Sequence, residues 1–536
     1  MKLSFVGATH EVTGSCHYLK AAGKNILIDY GMQQGVDVFE NVDLPVDEGL
    51  VDYVLLTHAH VDHSGLLPLL YAKGFRGQII ATDATVDLCS IMLRDCAHIQ
   101  MQEAEWKARK AKRSNAQPIE PLYNMEDAEG AIHRLVPFHY DEIYDLCEGI
   151  KIRFTDVGHL LGSASIEVWV TEGDVTKKIV FSGDIGNKKG TLIKNPSYVK
   201  DADYVVMEST YGDRYHPNER PDYVLELANI ISDTMAKGGN VVIPSFAVGR
   251  TQEILYYIRE IKEKNMTPDF PDFPVYVDSP LAVEATGVFQ KNIAGCFSDE
   301  ALEMVNKGIN PISFSNLHLA ITSDESKLIN FDEEPKVIIS ASGMCEAGRI
   351  RHHLKHNLWR EECSILFVGF QAVGTLGRFI VEGEKEVKLF GETIDVRAKI
   401  LQLPGMSGHA DKDGLIEWIR NVGEGDKIQK VFIVHGEDTV TKLFSECLRN
   451  EYGYDTYAPY SGAVYDLIED KLIYEAKPVP VMKKKAGKVS DVFARLLAAG
   501  QRLIAVIHKN EGCANKDIAK FADQINSLAD KWDREI

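Results

Sequence analysis

"LTHAHVDHSGLLP", residues 56–68, places three histidines and one aspartate within six positions, directly after the apolar run "VDYVLL". A short apolar run that breaks into polar residues reads as a buried strand ending in a loop. In H-x-H-x-D-H, alternate residues of an extended loop project to one side. His58 and His60 can therefore share one ion, while Asp62 and His63 face a second a few ångströms away; imidazole nitrogen and carboxylate oxygen are the donors that zinc accepts. The other reading is a capped turn, because Asp62 and Ser64 are both good helix N-caps. Choosing between them requires asking whether the rest of the chain supplies further ligands.

Three more stretches do. "DVGHLLGS" offers His159, "IVFSGDIG" offers Asp184 and "FIVHGE" offers His435, each at the end of a strand-like run and with a Gly within the next three residues. One histidine at a strand end is more often a satisfied surface or core residue, but three such polar residues form a pattern. Asp29 in "ILIDYG" has the same placement; it reads either as a turn residue or as a partner that orients a ligand histidine.

The remainder of the 536 residues sets bounds. The length predicts two or three compact units, and 45% hydrophobic content is ample for their cores. Nothing near "MKLSFVG" resembles a signal peptide, and no run approaches the roughly 20 apolar residues of a membrane helix. Nine scattered cysteines with no C-x-x-C pair predict reduced thiols in the cytoplasm and argue against a cysteine-held metal. A net charge of −20 does not suggest a general polyanion binder, and any nucleic-acid contact would come from local patches or bound cations. The first 200 residues are mostly short strands and turns, with helical character at "HSGLLPLLYAKG" and over 83–115. From "PDYVLELANIISDTMAKGGNVVIPSF" the tempo becomes helix, strand, helix, and the runs "FPVYVDSP", "KVIISASG" and "CSILFVGF" have the apolar character of a covered parallel sheet. Residues 394–435 return to the earlier style. The stretch near 478–489 reads as a linker, and the last residues as two amphipathic helices.

The order Asp, H-x-H-x-D-H, His, Asp, His resembles the metallo-β-lactamase superfamily. The later stretches "ESTYGDRYH", "MSGHADKDGL" and "FIVHGE" resemble motifs A, B and C of its β-CASP branch, which processes nucleic acid. "PSFAVGRTQE", "ASGMCEAGR" and "VGFQAVGTLGR" are similar to the bacterial and archaeal RNA-processing members, and the likeness covers about residues 1–475. It implies an α/β fold: an αββα sandwich with an inserted α/β domain. The implied division is 1–205 and 391–477 for the sandwich, 206–390 for the insertion and 478–536 for linker and tail.

The resemblance also implies roles. His58, His60 and His159 hold one Zn2+ (Mn2+ being compatible with the same donors), Asp62, His63 and His435 hold another, and Asp184 bridges them. A metal-bound hydroxide attacks the phosphodiester, with Asp62 counted among the catalytic residues and His409, oriented by Glu208, as general acid. His435 in motif C resembles the RNA-acting members, so the expected partner is single-stranded RNA, cut internally; a 5′-exonuclease or DNA nuclease of the same superfamily is the alternative. No membrane partner is expected, and the tail suggests a homodimer. The KH modules of the archaeal members are missing, which puts sequence-specific recognition in doubt. Ser245, Ser342 and Ser407 are candidate substrate contacts, since strand-end serines can present backbone N–H groups to phosphate. The runs "WKARKAKRS" (106–114) and "KKKAGK" (483–488) read as phosphate contacts or as solvated surface, and "RIRHHLKHN" as an anion seat beside Arg349 or Arg351, or as an ordinary helix. A small-molecule hydrolase would share the first motifs without needing Glu208 or His409. A di-iron protein would carry Glu near His60, and a non-catalytic scaffold would have lost ligands.

Overall fold

A computed structural model describes residues 1–35, 38–112, 120–188, 190–216, 221–372, 374–403, 405–423, 428–481, 503, 507 and 515–532. The chain divides into two compact units. One comprises Met1–Glu103 with Pro121–Pro480, and the other Ala104–Glu120 with Val481–Ile536. Among the described residues no helix is long and apolar enough to cross a membrane.

The larger unit is built on three main sheets. In the eight-stranded sheet, Lys2–Gly7 pairs with Cys16–Ala21, which pairs with Lys24–Ile28, and the order continues through Tyr53–Leu55, Gln78–Thr82 and Leu135–Phe138. On its other edge Lys2–Gly7 pairs with Val464–Asp466, and Lys471–Tyr474 lies outermost. The seven-stranded sheet runs in the order Thr456–Tyr457, Lys430–Ile433, Tyr204–Met207, Val175–Phe181, Ala164–Glu172, Ile150–Asp156 and Tyr144–Cys147. Strands from the far end of the chain thus complete both sheets. Alternate residues of each strand face inward, and Phe5, Leu19, Ile26 and Ile28 of one sheet meet Ile152, Phe154, Ile166, Val168 and Phe432 of the other in one buried cluster.

The third sheet carries six parallel strands in the order Leu317–Ala320, Val275–Asp278, Val337–Ser340, Val241–Pro244, Ser364–Phe367 and Lys399–Gln402. Val241–Pro244, Val337–Ser340 and Ser364–Phe367 are buried along their whole length, as a parallel sheet covered by helices requires. This sheet extends past residue 390, since Lys399–Gln402 pairs with Ser364–Phe367. In the smaller unit the described structure is the end of helix Asp83–Lys112 and helix Asn515–Trp532. The run at 106–114 lies mostly, and "KKKAGK" wholly, outside the residues whose side chains are described.

Candidate metal centre

The opening loop is not closed by a side-chain cap. After strand Tyr53–Leu55 the chain makes a four-residue helix, Val61–Ser64, whose N-cap is His60, and no side chain caps it. Ser64 instead donates to the carbonyls of Ala59 and His60. Gly31 lets this helix come close: a Cβ there would lie 1.6 Å from the Asp62 carbonyl oxygen. The backbone N–H groups of Ser15 and Tyr30 complete the seat by bonding the carbonyls of Asp62 and His63, each at 2.8 Å.

The other candidate ligands come from three chain segments that end beside this loop. His159 follows Ile150–Asp156, Asp184 follows Val175–Phe181, and His435 follows Lys430–Ile433. Their donor atoms form two groups. In the first, His60 Nδ1 lies 3.1 Å from His58 Nε2 and 3.2 Å from His159 Nε2. Asp184 Oδ2 is 3.5 Å from His58 Nε2 and 3.6 Å from His159 Nε2. In the second, His63 Nε2 and His435 Nε2 are 3.1 Å apart. Asp184 Oδ1 lies 3.3 and 3.5 Å from them, and Asp62 Oδ2 is 3.8 Å from His435 Nε2. Asp184 therefore offers one oxygen to each group.

The surroundings fix which nitrogen points inward. Asp29 is buried; its carboxylate accepts from Thr57 N–H at 2.8 Å, from the Thr57 and Ser15 hydroxyls, and from His63 Nδ1 at 2.7 Å. His159 Nδ1 donates to the Gly408 carbonyl at 3.2 Å. With Nδ1 protonated, the Nε2 lone pairs of His63 and His159 are left facing neighbouring donors. Asp184 Oδ1 is buried and accepts no hydrogen bond. Convergent lone pairs and an orphaned carboxylate oxygen suit cations held by nitrogen and oxygen, so this donor set fits the two metals that the fold family implies.

Electrostatics agree. Burial pushes His58 and His159 well below the usual imidazole range. It opposes charge at His63 and His435 too, but Asp184, with Asp29 behind one and Asp62 beside the other, raises both. Against its own burial, Asp184 is held well below the usual carboxylate range by His435, His63 and His58. The pocket is thus arranged to keep positive charge beside three carboxylates. Two of its residues, Asp29 and His435, have positive φ, at 59° and 50°. Such backbone costs about 1–3 kcal/mol each and persists where contacts over-determine it; His435 N–H is tied to Ala8 O at 2.7 Å and Asp29 N–H to Leu55 O at 3.0 Å.

Glu208 and His409 stand beside the first group, and together with Asp184 they make a third cluster. The His409 ring centre is 4.4 Å from that of His159. Glu208 is 1% exposed. It accepts from Ile185 N–H at 2.6 Å and Thr210 N–H at 3.2 Å, and its Oε1 is 3.3 Å from His409 Nδ1. Burial works against charge on His409, yet Glu208, with Asp184 and Asp62 beyond it, raises its pKa to about 9.

The serines part company. Ser407 lies in the His409 loop, where its Oγ accepts from His409 N–H. Ser245 is buried and bonded to Thr251, and the Ser342 hydroxyl donates to Ala347 O. Of the residues of the suggested anion seat, Arg349 and His353 are both bonded to Asp278, as the reading of an ordinary helix has it. Residues without an expected role also shape the site. Thr57 touches Asp29, His58 and His63. His216 donates from Nε2 to the His409 carbonyl and from its backbone N–H to Asp411, the N-cap of helix Lys412–Val422. Both lie inside the quoted motifs, and their signal was a polar residue with no assigned task.

Three family descriptions match the chain: the metallo-β-lactamase superfamily domain over residues 18–209, the β-CASP domain over 251–380, and the Zn-dependent metallo-hydrolase RNA specificity domain over 393–459. A Thermus thermophilus protein named as a ribonuclease is 37% identical over 439 residues, covering 82% of this chain and 94% of that one. An RNase J-like protein of Methanocaldococcus jannaschii is 32% identical over 469 residues, with 86% and 99% covered. The protein of the same organism named transcription termination factor FttA is 30% identical over 474 residues, with 86% and 70% covered. The chain belongs to the β-CASP family of the metallo-β-lactamase superfamily.

Proposed function

We propose that this member of the β-CASP family is a metal-dependent ribonuclease that hydrolyses internal phosphodiester bonds of single-stranded RNA. The observation that carries the reading is the sharing of Asp184 between two donor groups, with the Glu208–His409 pair beside them. The relatives named as ribonucleases support the RNA substrate.

His58, His60 and His159 would hold one cation, Asp62, His63 and His435 the other, and Asp184 both; zinc suits these donors, and manganese accepts them as well. Bound there, divalent cations supply Lewis-acid charge to the phosphoryl oxygens and lower the pKa of water. The chain's own residues do the rest. Asp29 fixes His63 with Nε2 inward. Glu208 accepts from His409 Nδ1 and holds the ring as an imidazolium at neutral pH, so that Nε2–H gives its proton to the oxygen leaving phosphorus. Ser407 braces that loop from within.

The same reading divides the chain into a catalytic sandwich (1–205 and 391–477), an inserted substrate-handling domain (206–390, whose sheet also takes in Lys399–Gln402) and a tail (478–536). It sets the enzyme in the cytoplasm, in keeping with eight free cysteines among the described residues. The tail would pair two copies: helix Asn515–Trp532 aligns Ile518, Phe521, Ile525 and Leu528 on one stripe. The test is incubation with end-labelled single-stranded RNA beside matched DNA, with and without chelator. Chelator-sensitive internal cuts in RNA alone support the reading. Mononucleotide release from the 5′ end would replace the endonuclease with an exonuclease, and cleavage of neither polymer would refute the nuclease assignment.

A further inference from the structure

Phe246 and Phe370 are exposed aromatic residues, at 46% and 62% exposure. They follow the ends of Val241–Pro244 and Ser364–Phe367, adjacent parallel strands of the six-stranded sheet, so both stand at its carboxyl edge. That edge is where open parallel sheets bind ligands.

The Phe246 ring has a built seat. A Cβ on Gly343 would lie 3.0 Å from its Cδ2 and 3.1 Å from its Cε2, and a Cβ on Gly369 would lie 3.8 Å from Cε2. The ring therefore rests against the backbone of two glycines, each in a loop that leaves a neighbouring strand. Buried Gln371 clasps those loops together, its Nε2 donating to Gly343 O at 3.0 Å and to Gly369 O at 3.2 Å. Glycines and a buried amide hold one aromatic face in place while the ring stays half open to solvent.

The seat is continuous with the metal centre. Phe246 opens the loop that ends at Gly249, where a Cβ would touch Leu160, the residue after His159, at 3.1 Å. The next residue, Arg250, bonds the Met406 carbonyl beside Ser407. Charge selects the occupant's mode of binding. A chain of net charge −20 gains little overall from attraction to phosphates, so a nucleic acid held here has to draw on its bases, and stacking on an aromatic face accepts any base.

We propose that Phe246, seated on Gly343 and Gly369 and flanked by Phe370, is a stacking platform for a base of single-stranded RNA entering the metal centre. This rests on the ribonuclease reading above. The test is equilibrium binding of the metal-loaded full chain to a short single-stranded oligoribonucleotide with phosphorothioate linkages, beside one of equal length carrying abasic residues. Wild type, Phe246→Ala, Phe246→Trp and Phe370→Ala are compared across a range of salt. Phe246→Ala should bind the intact oligomer about 5- to 150-fold more weakly, the range that one stacked base contributes. The salt slope should be unchanged, since no phosphate contact is lost. Phe246→Trp should bind within about twofold of wild type, Phe370→Ala should show a smaller loss, and the variants should converge on the abasic oligomer. Equal affinity of wild type and Phe246→Ala for intact RNA, in a wild type that cuts RNA, overturns the platform alone. A wild type that neither binds nor cuts RNA defeats the ribonuclease reading and the platform with it.

Discussion

Two buried histidine–aspartate clusters sit at strand ends in this molecule, and they are built in opposite ways. At the end of Val275–Asp278, Asp278 accepts from Arg349 at 2.7 Å, His353 at 2.6 Å and Ser326 at 2.5 Å, while His353 Nδ1 reaches Asn330 Oδ1 at 2.9 Å. Every donor there has an acceptor, and although burial opposes it, those bonds lower the Asp278 pKa. After Val175–Phe181, Asp184 faces four imidazoles whose nitrogens also face one another, and its Oδ1 has no hydrogen-bond partner. The first cluster is complete without a ligand. The second has donors left over that cations would satisfy. Residue type alone does not separate a structural cluster from a functional one; satisfaction of the donors does.

That contrast can be broken by exchanging the two clusters' fates. Asp184→Asn should lower RNA cleavage by about a thousandfold or more and reduce the cations bound per chain, measured by elemental analysis, because both donor groups lose their shared charge. The metal-free fold should lose less stability than Asp278→Ala does, because Asn keeps the shape and only the carboxylate's ion pairs with the neighbouring imidazoles are lost. Asp278→Ala should do the reverse. It leaves a buried histidine and an arginine without their acceptor, so chemical unfolding should show a loss of about 3 kcal/mol, with cation content unaltered. A large stability loss in Asp184→Asn with full cation content would break the distinction.

The Glu208–His409 pair sharpens it. Glu208→Gln should cut the rate about a hundredfold without changing cation content. It should also move the basic limb of the pH profile downward. Glu208 raises the His409 pKa to about 9, the acid form donates the proton, and without the carboxylate that form is lost at lower pH. An unmoved basic limb would remove His409 from the general-acid role. The smallest effect is expected at Asp29→Asn, which keeps the shape but weakens the hold on His63 Nδ1. Cation affinity should fall about 10- to 100-fold, read by competition with a chelating indicator.

Much of the metal centre was legible in the chain because its geometry is local. H-x-H-x-D-H occupies one loop, and His159, Asp184 and His435 each follow a strand whose apolar run marks its end. The parallel insertion was legible for the same reason, in the unbroken runs around 241, 275, 337 and 364. What escaped were partnerships across the chain. Nothing in "RIRHHLKHN" announces that His353 will meet Asp278, 75 residues away, so exposed and buried histidines look alike there. Ser245 reads as a candidate phosphate contact, and nothing in its neighbourhood in the sequence announces that its hydroxyl will accept from Thr251 on the following helix. The outer strands Val464–Asp466 and Lys471–Tyr474 find their place only because Lys2–Gly7 offers an edge more than 450 residues earlier in the chain.

The central claim is that this cluster acts on RNA through cations held at Asp184. The most direct measurement is cleavage of labelled single-stranded RNA by chelator-stripped protein as zinc or manganese is added back, with cation content counted at each step. Cleavage that is absent at the start and saturates at two cations per chain in wild type, but not in Asp184→Asn, is the expected result. Full cleavage by the stripped protein, or none at two cations per chain, would contradict it.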